Sequence, residues 1–258
     1  MKTKTLALLL IISLVSVMAV GAAGSKESSK EKTSYVFAAN AAWPPLEYVD
    51  ENGNVVGYEI ELIQEIGKAV GKTFTIRNVA WDGIFAGLAN GAYDGIASGV
   101  SVTEERKATM DFSTPILQVK QAIIVRSGTT GISSGDDLVG KKVGVQIGTT
   151  GHIALEDTYG KAITIRAYDE IGLAIEDMLN GNLDAAVADS IIASDFVLAN
   201  KNYQGKLFVS GEASSIAEDI AIVVPKGNVY LLGLVNDGYA LLVKNGTVAT
   251  LKEKYNLL

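Results

Sequence analysis

The sequence predicts an α/β fold built from two similar lobes, and three observations carry that reading. Strand-like and helix-like patterns alternate along most of the 258 residues, the order expected of helices packed on a largely parallel sheet. An internal echo recurs at constant offset: "LANGAYDGIASG" (88–99) resembles "MLNGNLDAAVAD" (178–189), with Asn90, Gly91 and Asp94 matching Asn180, Gly181 and Asp184. A strand-like run also opens each half, "YVFAAN" at 35–40 and "KKVGVQ" at 141–146. Chance similarity of a common helix–strand unit is the alternative account of the echo.

Taken in order, the chain begins with Lys2 and Lys4, an apolar stretch Leu6–Val20, and the small residues Gly21, Ala22, Ala23 and Gly24. That is the pattern of a secretory signal peptide over 1–24, cleaved between Ala22 and Ser25. The apolar stretch is short for a membrane span of about 20 residues, which disfavours an uncleaved anchor. The chain has no cysteine, so neither disulfides nor acylation through a cysteine is available. "SKESSKEK" opens a polar, disordered leader over 25–34. Beyond it, Leu62, Ile63, Ile66, Ala69 and Val70 recur at helical spacing. "KTFTIRNV" alternates as a strand does, Ile84, Phe85, Leu88 and Ala89 suggest a short helix, and "GIASG" reads as a short buried strand. Later, "KKVGVQIG" and "DAAVAD" read as strands, 168–180 and 190–200 as helices, and 228–257 as mainly helical. In both copies of the echo a helix ends on Asn-Gly, where glycine can take the left-handed cap conformation.

In open α/β sheets, ligands bind beyond the carboxyl ends of strands. Polar residues cluster at four such ends. If the lobes face one another, Asn40, Ser98, Gln146 and Asp189 converge on one cleft, a favoured place for a small molecule. Around Ser98 the chain reads "SGVSVTEER". Ser98, Gly99 and Ser101 offer hydroxyls and close backbone approach. Thr103 is a candidate helix cap with Glu104 and Glu105 in the first turn. Arg106 presents the two parallel donors that match a carboxylate; alternatively it pairs with Glu104 or Asp111. In "QIGTTGH", Gly148, Thr149, Thr150 and Gly151 lie between a strand and a helix, where free N–H groups favour an anion, unless this is an ordinary turn. Asp189 either accepts an ammonium or caps the next helix. Trp43 and Trp81 either flank a ligand side chain or fill the core. A carboxylate clamp, an ammonium acceptor and two aromatic walls together suit a free α-amino acid.

Other chemistries fail on counting. The net charge is −7, with basic residues spread along the chain, which argues against a nucleic-acid partner. One histidine, His152, and no cysteine leave no metal-ligand cluster of the zinc type and no thiol nucleophile. "GKAVGKT" (67–73) has one residue too few between its glycines for a phosphate-binding loop and ends a helix rather than following a strand. Neither a G-x-S-x-G nor a G-x-G-x-x-G motif occurs.

Four stretches, "WPPLEYVDENGNVVGYEIELIQEIGKAVGK", "WDGIFAGLANGAYDGIASGVSVTEERKATMDFSTP", "DDLVGKKVGVQIGTTG" and "LNGNLDAAVADS", make the chain from about residue 35 onward resemble the extracytoplasmic solute-binding proteins of polar amino acid ABC importers, family 3. The resemblance implies the type II periplasmic binding protein fold: two Rossmann-like lobes, 35–119 plus 219–258 and 120–218, joined by a two-strand hinge. It implies a monomer outside the cytoplasmic membrane that binds a free amino acid, needs no cofactor and delivers its ligand to a membrane permease. In similar proteins the arginine matching Arg106 binds the ligand carboxylate, helped at Ser101 and Thr150. The acid matching Asp189 binds the ammonium with Ser98 and Gly99, and aromatics at Trp43 and Trp81 flank the side chain. Many relatives that bind Lys, Arg or Gln carry Asp where this chain has Asn40. Asn40 with Gln146 therefore suits a polar side chain, while Glu218 or Asp219 offers a negative charge near the hinge, which leaves both Gln-like and Arg-like ligands open. Two alternatives stand beside transport: a cyclohexadienyl dehydratase-like enzyme on the same scaffold, which needs a placed general acid beyond Asp189, and a ligand-sensing module acting through a partner.

Overall fold

The computed structural model describes residues 32–257. The signal peptide expected at 1–24 and the leader up to residue 31 lie outside the described residues. The leader, expected to reach residue 34, ends sooner, because Ser34 already pairs with Thr73 as the first residue of strand β1 (Ser34–Ala39). Among the described residues no helix is long and apolar enough to cross a membrane.

The first sheet grows from β1. A small three-stranded sheet follows it, made of β2 (Ala42–Trp43), β3 (Glu47–Val49) and β4 (Val55–Val56). Helix α1 (Tyr58–Ala69) buries Leu62, Ile63 and Ile66 completely and exposes its polar face, as the helical spacing predicts. Strand β5 (Thr73–Asn78) pairs parallel with β1. Helix α2 (Ile84–Ala89) then leads into β6 (Gly95–Ile96), also parallel to β1. Helix α3 (Glu104–Thr109), β7 (Met110–Phe112) and the late strand β13 (Val223–Pro225) complete the order β5-β1-β6-β13-β7. Helices α7 (Val229–Lys244) and α8 (Thr247–Lys254) return to pack beside α1; a Cβ on Gly238 would lie 2.8 Å from Ile66 Cγ2.

The second sheet repeats this plan. Its strands are β8 (Leu117–Arg126), β9 (Lys142–Gln146), β10 (Thr164–Tyr168), β11 (Ala185–Asp189) and β12 (Leu207–Ile220), in the order β10-β9-β11-β8-β12. Helices α4 (Thr150–Tyr159), α5 (Ile171–Leu179) and α6 (Ser190–Ser194) connect them, and a π-helical turn Asp195–Ala199 extends α6. Each sheet is parallel over three adjacent strands and antiparallel over the other two, so "largely parallel" describes only the three-strand part. The chain crosses from the first sheet to the second along β8 and back along β12. These two long strands pair from Leu117 opposite Ile220 to Arg126 opposite Leu207, with the register broken between Ser214 and Glu218.

The echo has a structural cause. Asn90 and Asn180 end their helices, and Gly91 (φ 71) and Gly181 (φ 85) turn the chain. Asp94 then exchanges two 2.8 Å hydrogen bonds with Val36: its N–H donates to the Val36 carbonyl and its carboxylate accepts from the Val36 N–H. Asp184 repeats both bonds with Lys142, each at 2.8 Å. The paired aspartates thus pin β6 beside β1 and β11 beside β9 in one register.

Candidate functional site

The carboxyl ends of β1, β6, β9 and β11 deliver Asn40, Ser98, Gln146 and Asp189 to one cavity of about 320 Å³, as the strand-end rule predicts. Trp43, Trp81, Gly99, Ser101, Arg106, Thr149 and Thr150 line it as well, so all eleven residues singled out in the sequence meet in one place. One further side chain, Glu47, completes the lining. The two lobes touch around the cavity. Gln146 Nε2 donates to Asn40 Oδ1 at 3.1 Å, Arg106 Nη2 to the Gly148 carbonyl at 3.2 Å, and the hydroxyls of Ser101 and Thr150 lie 3.3 Å apart.

Arg106 turns inward. Thr103 caps α3 by accepting from the Arg106 N–H at 3.1 Å, which sets the guanidinium toward the cleft. There Nη1 donates to the Ser101 carbonyl at 2.9 Å, and the plane lies over Phe85, 4.9 Å from the ring centre, and over Trp81 at 5.9 Å. The partners it could have taken on the surface are engaged elsewhere: Glu104 with Lys107 at 2.8 Å and Asp111 with Lys226 at 2.8 Å. Burial lowers its pKa, opposed by the charges of Glu218, Asp189 and Glu105.

Asp189 does not cap α6; it is nearly completely buried, and its Oδ1 accepts from Gln121 Nε2 at 2.8 Å. Burial pushes its pKa up to about 7 against the hydrogen bond from Gln121; the nearby charge of Glu218 adds to the rise, while Trp43 and Arg106 oppose it. Gln121 lies on the hinge strand β8 and also donates to Glu218 Oε1 at 3.1 Å on β12. Glu218 therefore sits behind Gln121 and outside the cavity lining, and Asp219 accepts from Gln118 at an exposed site at 3.1 Å. Neither supplies a charge where Asn40 and Gln146 meet. That end of the cavity is a neutral amide pair, with Asn40 Nδ2 donating to the Val79 carbonyl at 3.3 Å and Gln146 Nε2 also donating to the Asp169 carbonyl at 2.9 Å.

Two glycines are required by shape. Gly99 has φ 54, and a Cβ there would stand 3.0 Å from Trp43 Cδ1. A Cβ on Gly151 would meet Gln121 Oε1 at 2.3 Å. The turn around Gly148–Gly151 has fewer free amides than its sequence suggests. The Gly148 N–H donates to His152 Nδ1 at 3.1 Å, and the His152 N–H to Thr149 Oγ1 at 3.3 Å. His152 thus shapes the turn from outside the cavity.

Glu47 was hidden from sequence reasoning because it stands in "PPLEYVD", a turn-rich stretch where an acid reads as solvated. The strand pair β2–β3 folds that stretch under the Ser98–Gly99 loop. Glu47 and Glu59 are both fully buried there. Glu47 Oε1 accepts from Ser98 Oγ at 3.0 Å and Glu59 Oε2 from the Gly99 N–H at 2.7 Å. Burial holds both acids above the usual carboxylate range, and the charge of Glu59 adds to the rise for Glu47.

A family profile, bacterial extracellular solute-binding proteins of family 3, matches residues 35–257. The chain belongs to this family. Among family 3 relatives, the L-cystine-binding protein TcyJ of Escherichia coli K12 is 32% identical over 246 residues, covering 95% of this chain and 91% of that protein. An ancestral arginine-binding protein bound to arginine superposes with a TM-score of 0.82 at 34% identity, over 87% of this chain and 98% of that one; an ancestral arginine-binding protein bound to glutamine gives 0.82 at 33% identity, over 88% of this chain and 99% of that one. An ancestral amino acid-binding protein described as a precursor of cyclohexadienyl dehydratase gives 0.78 at 30% identity, over 86% of this chain and 95% of that one. The two-sheet architecture with paired crossing strands is that of the type II periplasmic binding fold.

Proposed function

We propose that this protein binds a free polar L-amino acid outside the cytoplasmic membrane and hands it to the permease of an ABC importer, acting as a monomer and without catalysis. The observation that carries the reading is the separation of charge across the cavity. Arg106 stands on the first lobe and Asp189 on the second, both facing one enclosed space. Arg106 would take the α-carboxylate with Ser101, Thr149 and Thr150. Asp189 would take the α-ammonium with Ser98 and Gly99, and Trp43 and Trp81 would flank the side chain. The lobes would comprise 35–119 plus 219–258 and 120–218, closing about β8 and β12. Relatives named for cystine and arginine binding support the ligand class.

The neutral Asn40–Gln146 pair favours a side chain that is polar and uncharged and carries both donor and acceptor, with glutamine as the leading candidate. The dehydratase alternative fares worse on charge. Glu47 is a second buried acid in the cavity, but with Asp189 it leaves one cation, Arg106, to meet the two carboxylates of a prephenate-like substrate. A thermal-shift screen of the twenty amino acids, followed by calorimetry, tests the proposal. L-glutamine should raise the melting temperature and bind in a one-to-one ratio. A screen in which no amino acid binds, or the release of phenylpyruvate from prephenate, would overturn it.

A further inference from the structure

Glu47 has a feature that holding the Ser98–Gly99 loop does not explain. Its Oε1 already accepts the Ser98 hydroxyl at 3.0 Å, which is all the loop needs from it. Its Oε2 is buried and has no hydrogen-bond partner among the described residues, although the side chain is fully buried and lines the cavity. A buried polar oxygen left without a partner is costly; Glu59 Oε1 beside it is unpartnered too, but of the two acids only Glu47 lines the cavity.

The same bond fixes what Ser98 can offer. A hydroxyl has one proton and two lone pairs. Ser98 gives the proton to Glu47 and accepts the Asn40 N–H at 2.9 Å, so its remaining lone pair is what faces a ligand. The Gly99 N–H is likewise taken, by Glu59. Asp189, Ser98 and Glu47 all line the cavity, and with Glu47 ionised they offer a set of acceptors: the Asp189 carboxylate, the Ser98 oxygen and the unpartnered Glu47 Oε2. A primary ammonium has three N–H donors, one for each, with Glu47 in the place that the reading above gives to Gly99.

We propose that Glu47 is a specificity-determining residue that accepts the third N–H of the ligand's α-ammonium through Oε2, so that the site selects primary amines. The inference rests on the amino-acid reading above and deepens it. The charged groups around Glu47 are Glu59 from α1, Asp189 from β11 and, across the cavity, Arg106 from α3. Burial and the two acids favour a protonated Glu47 in the empty site. An ammonium arriving at Oε2 favours the carboxylate instead, so binding releases a proton.

The experiment compares Glu47→Gln with the parent chain, titrating L-glutamine and its α-hydroxy analogue 2-hydroxyglutaramate by displacement calorimetry. If L-glutamine is not the ligand, the amino acid giving the largest thermal shift and its hydroxy analogue take their places. Loss of one charge-assisted bond should weaken the amino acid by about tenfold or more and the hydroxy analogue by less than about threefold. Repeating the titration in buffers of different ionisation enthalpy should show more protons released by the parent than by the variant. If Glu47→Gln fails to fold, Glu47→Asp keeps the charge but withdraws the oxygen by one methylene, and the same selective loss is expected. Equal weakening of both ligands, or none, would make Glu47 a structural clamp only and overturn the inference. Failure of the parent to bind any amino acid would instead overturn the functional reading beneath it.

Discussion

At 88–99 and again at 178–189 the chain builds the same corner. A helix stops on Asn-Gly, an aspartate clips the incoming strand to its parallel sheet neighbour, β1 or β9, and a short buried strand ends at the cavity. The clips match bond for bond, Asp94 with Val36 and Asp184 with Lys142. The last residues do not match. The first copy ends in Ser98–Gly99, a loop with its proton and its amide turned toward buried acids. The second ends in Ala188–Asp189, with a carboxylate held by Gln121. The bonds that set the frame lie several residues upstream of the groups that face the ligand, so the frame can be kept while the ends take opposite tasks. The first lobe contributes the cation Arg106 and the second the anion Asp189, and in the proposed binding mode a zwitterion would span them.

Mutations should separate frame from ends. The largest effect on binding is expected at Arg106. Arg106→Ala should cost on the order of 2–5 kcal/mol of affinity, because a buried carboxylate would lose its charged partner, while circular dichroism shows an intact fold. Calorimetry giving parental affinity would remove Arg106 from the site.

Asp189→Asn should come next, with weaker binding and a reduced preference for the amino acid over its deaminated analogue. The substitution also carries a pH signature. In the folded protein Asp189 sits at about 7 against an ordinary 3.8, so folding takes up a proton between those values. The stability that this group contributes is therefore present at low pH and declines as pH rises through 7. The melting temperature of the ligand-free parent should fall more steeply over that range than that of Asp189→Asn. Ligand affinity should run the opposite way, weakening as pH drops below about 7 and the carboxyl takes up a proton. Identical pH profiles in parent and variant would contradict the assignment.

The frame predicts a smaller effect of another kind. Asp94→Ala and Asp184→Ala should each destabilise the fold by about 1–2 kcal/mol, the worth of hydrogen bonds lost with one backbone donor left bare. They should do so by similar amounts, and ligand affinity at 10 °C should be unchanged in both. Urea denaturation checks this, and a large affinity loss in one variant alone would show that the two corners are not equivalent. The smallest change is expected at the neutral end. Asn40→Asp should shift preference by a few-fold toward basic side chains, since a buried carboxylate gains from an opposite charge only what remains after its own desolvation; a competition series of glutamine against arginine reads it.

Much of this architecture is visible in the residues because it depends on short-range rules. Asn-Gly stops, alternating apolar runs and polar strand ends place the helices of both lobes and converge eleven residues on one cavity. What escaped was governed by partners distant in sequence. Strand β10 lies at a sheet edge, five residues long and with none of them buried, so its short alternation gives only a weak signal. Strand β12 is long, bulged and mostly half-buried, and its pairing with β8 spans nearly the whole second lobe. Glu47 and Glu59 carry charges that sequence reasoning assigns to solvent; only the fold of β2 and β3 beneath Ser98 buries them. In the turn at Gly148–Gly151 two of the amides are engaged locally, Gly148 with His152 Nδ1 and Thr149 with the Gln146 carbonyl, contacts that the glycine and threonine pattern does not announce.

The central claim is that a single zwitterion joins charges held on separate lobes. A ligand satisfying both Arg106 and Asp189 binds the closed arrangement better than an open one and shifts the population toward it. Moving that balance from 1:99 to 99:1 takes about 5.5 kcal/mol of differential affinity, within the roughly 8 kcal/mol of micromolar binding. Small-angle scattering with and without saturating L-glutamine, or the amino acid that the thermal screen selects, measures this directly. The radius of gyration should fall on saturation in the parent and fall much less in Asp189→Asn at the same ligand concentration. An unchanged scattering curve for the parent, with binding established by calorimetry in the same buffer, would contradict the account.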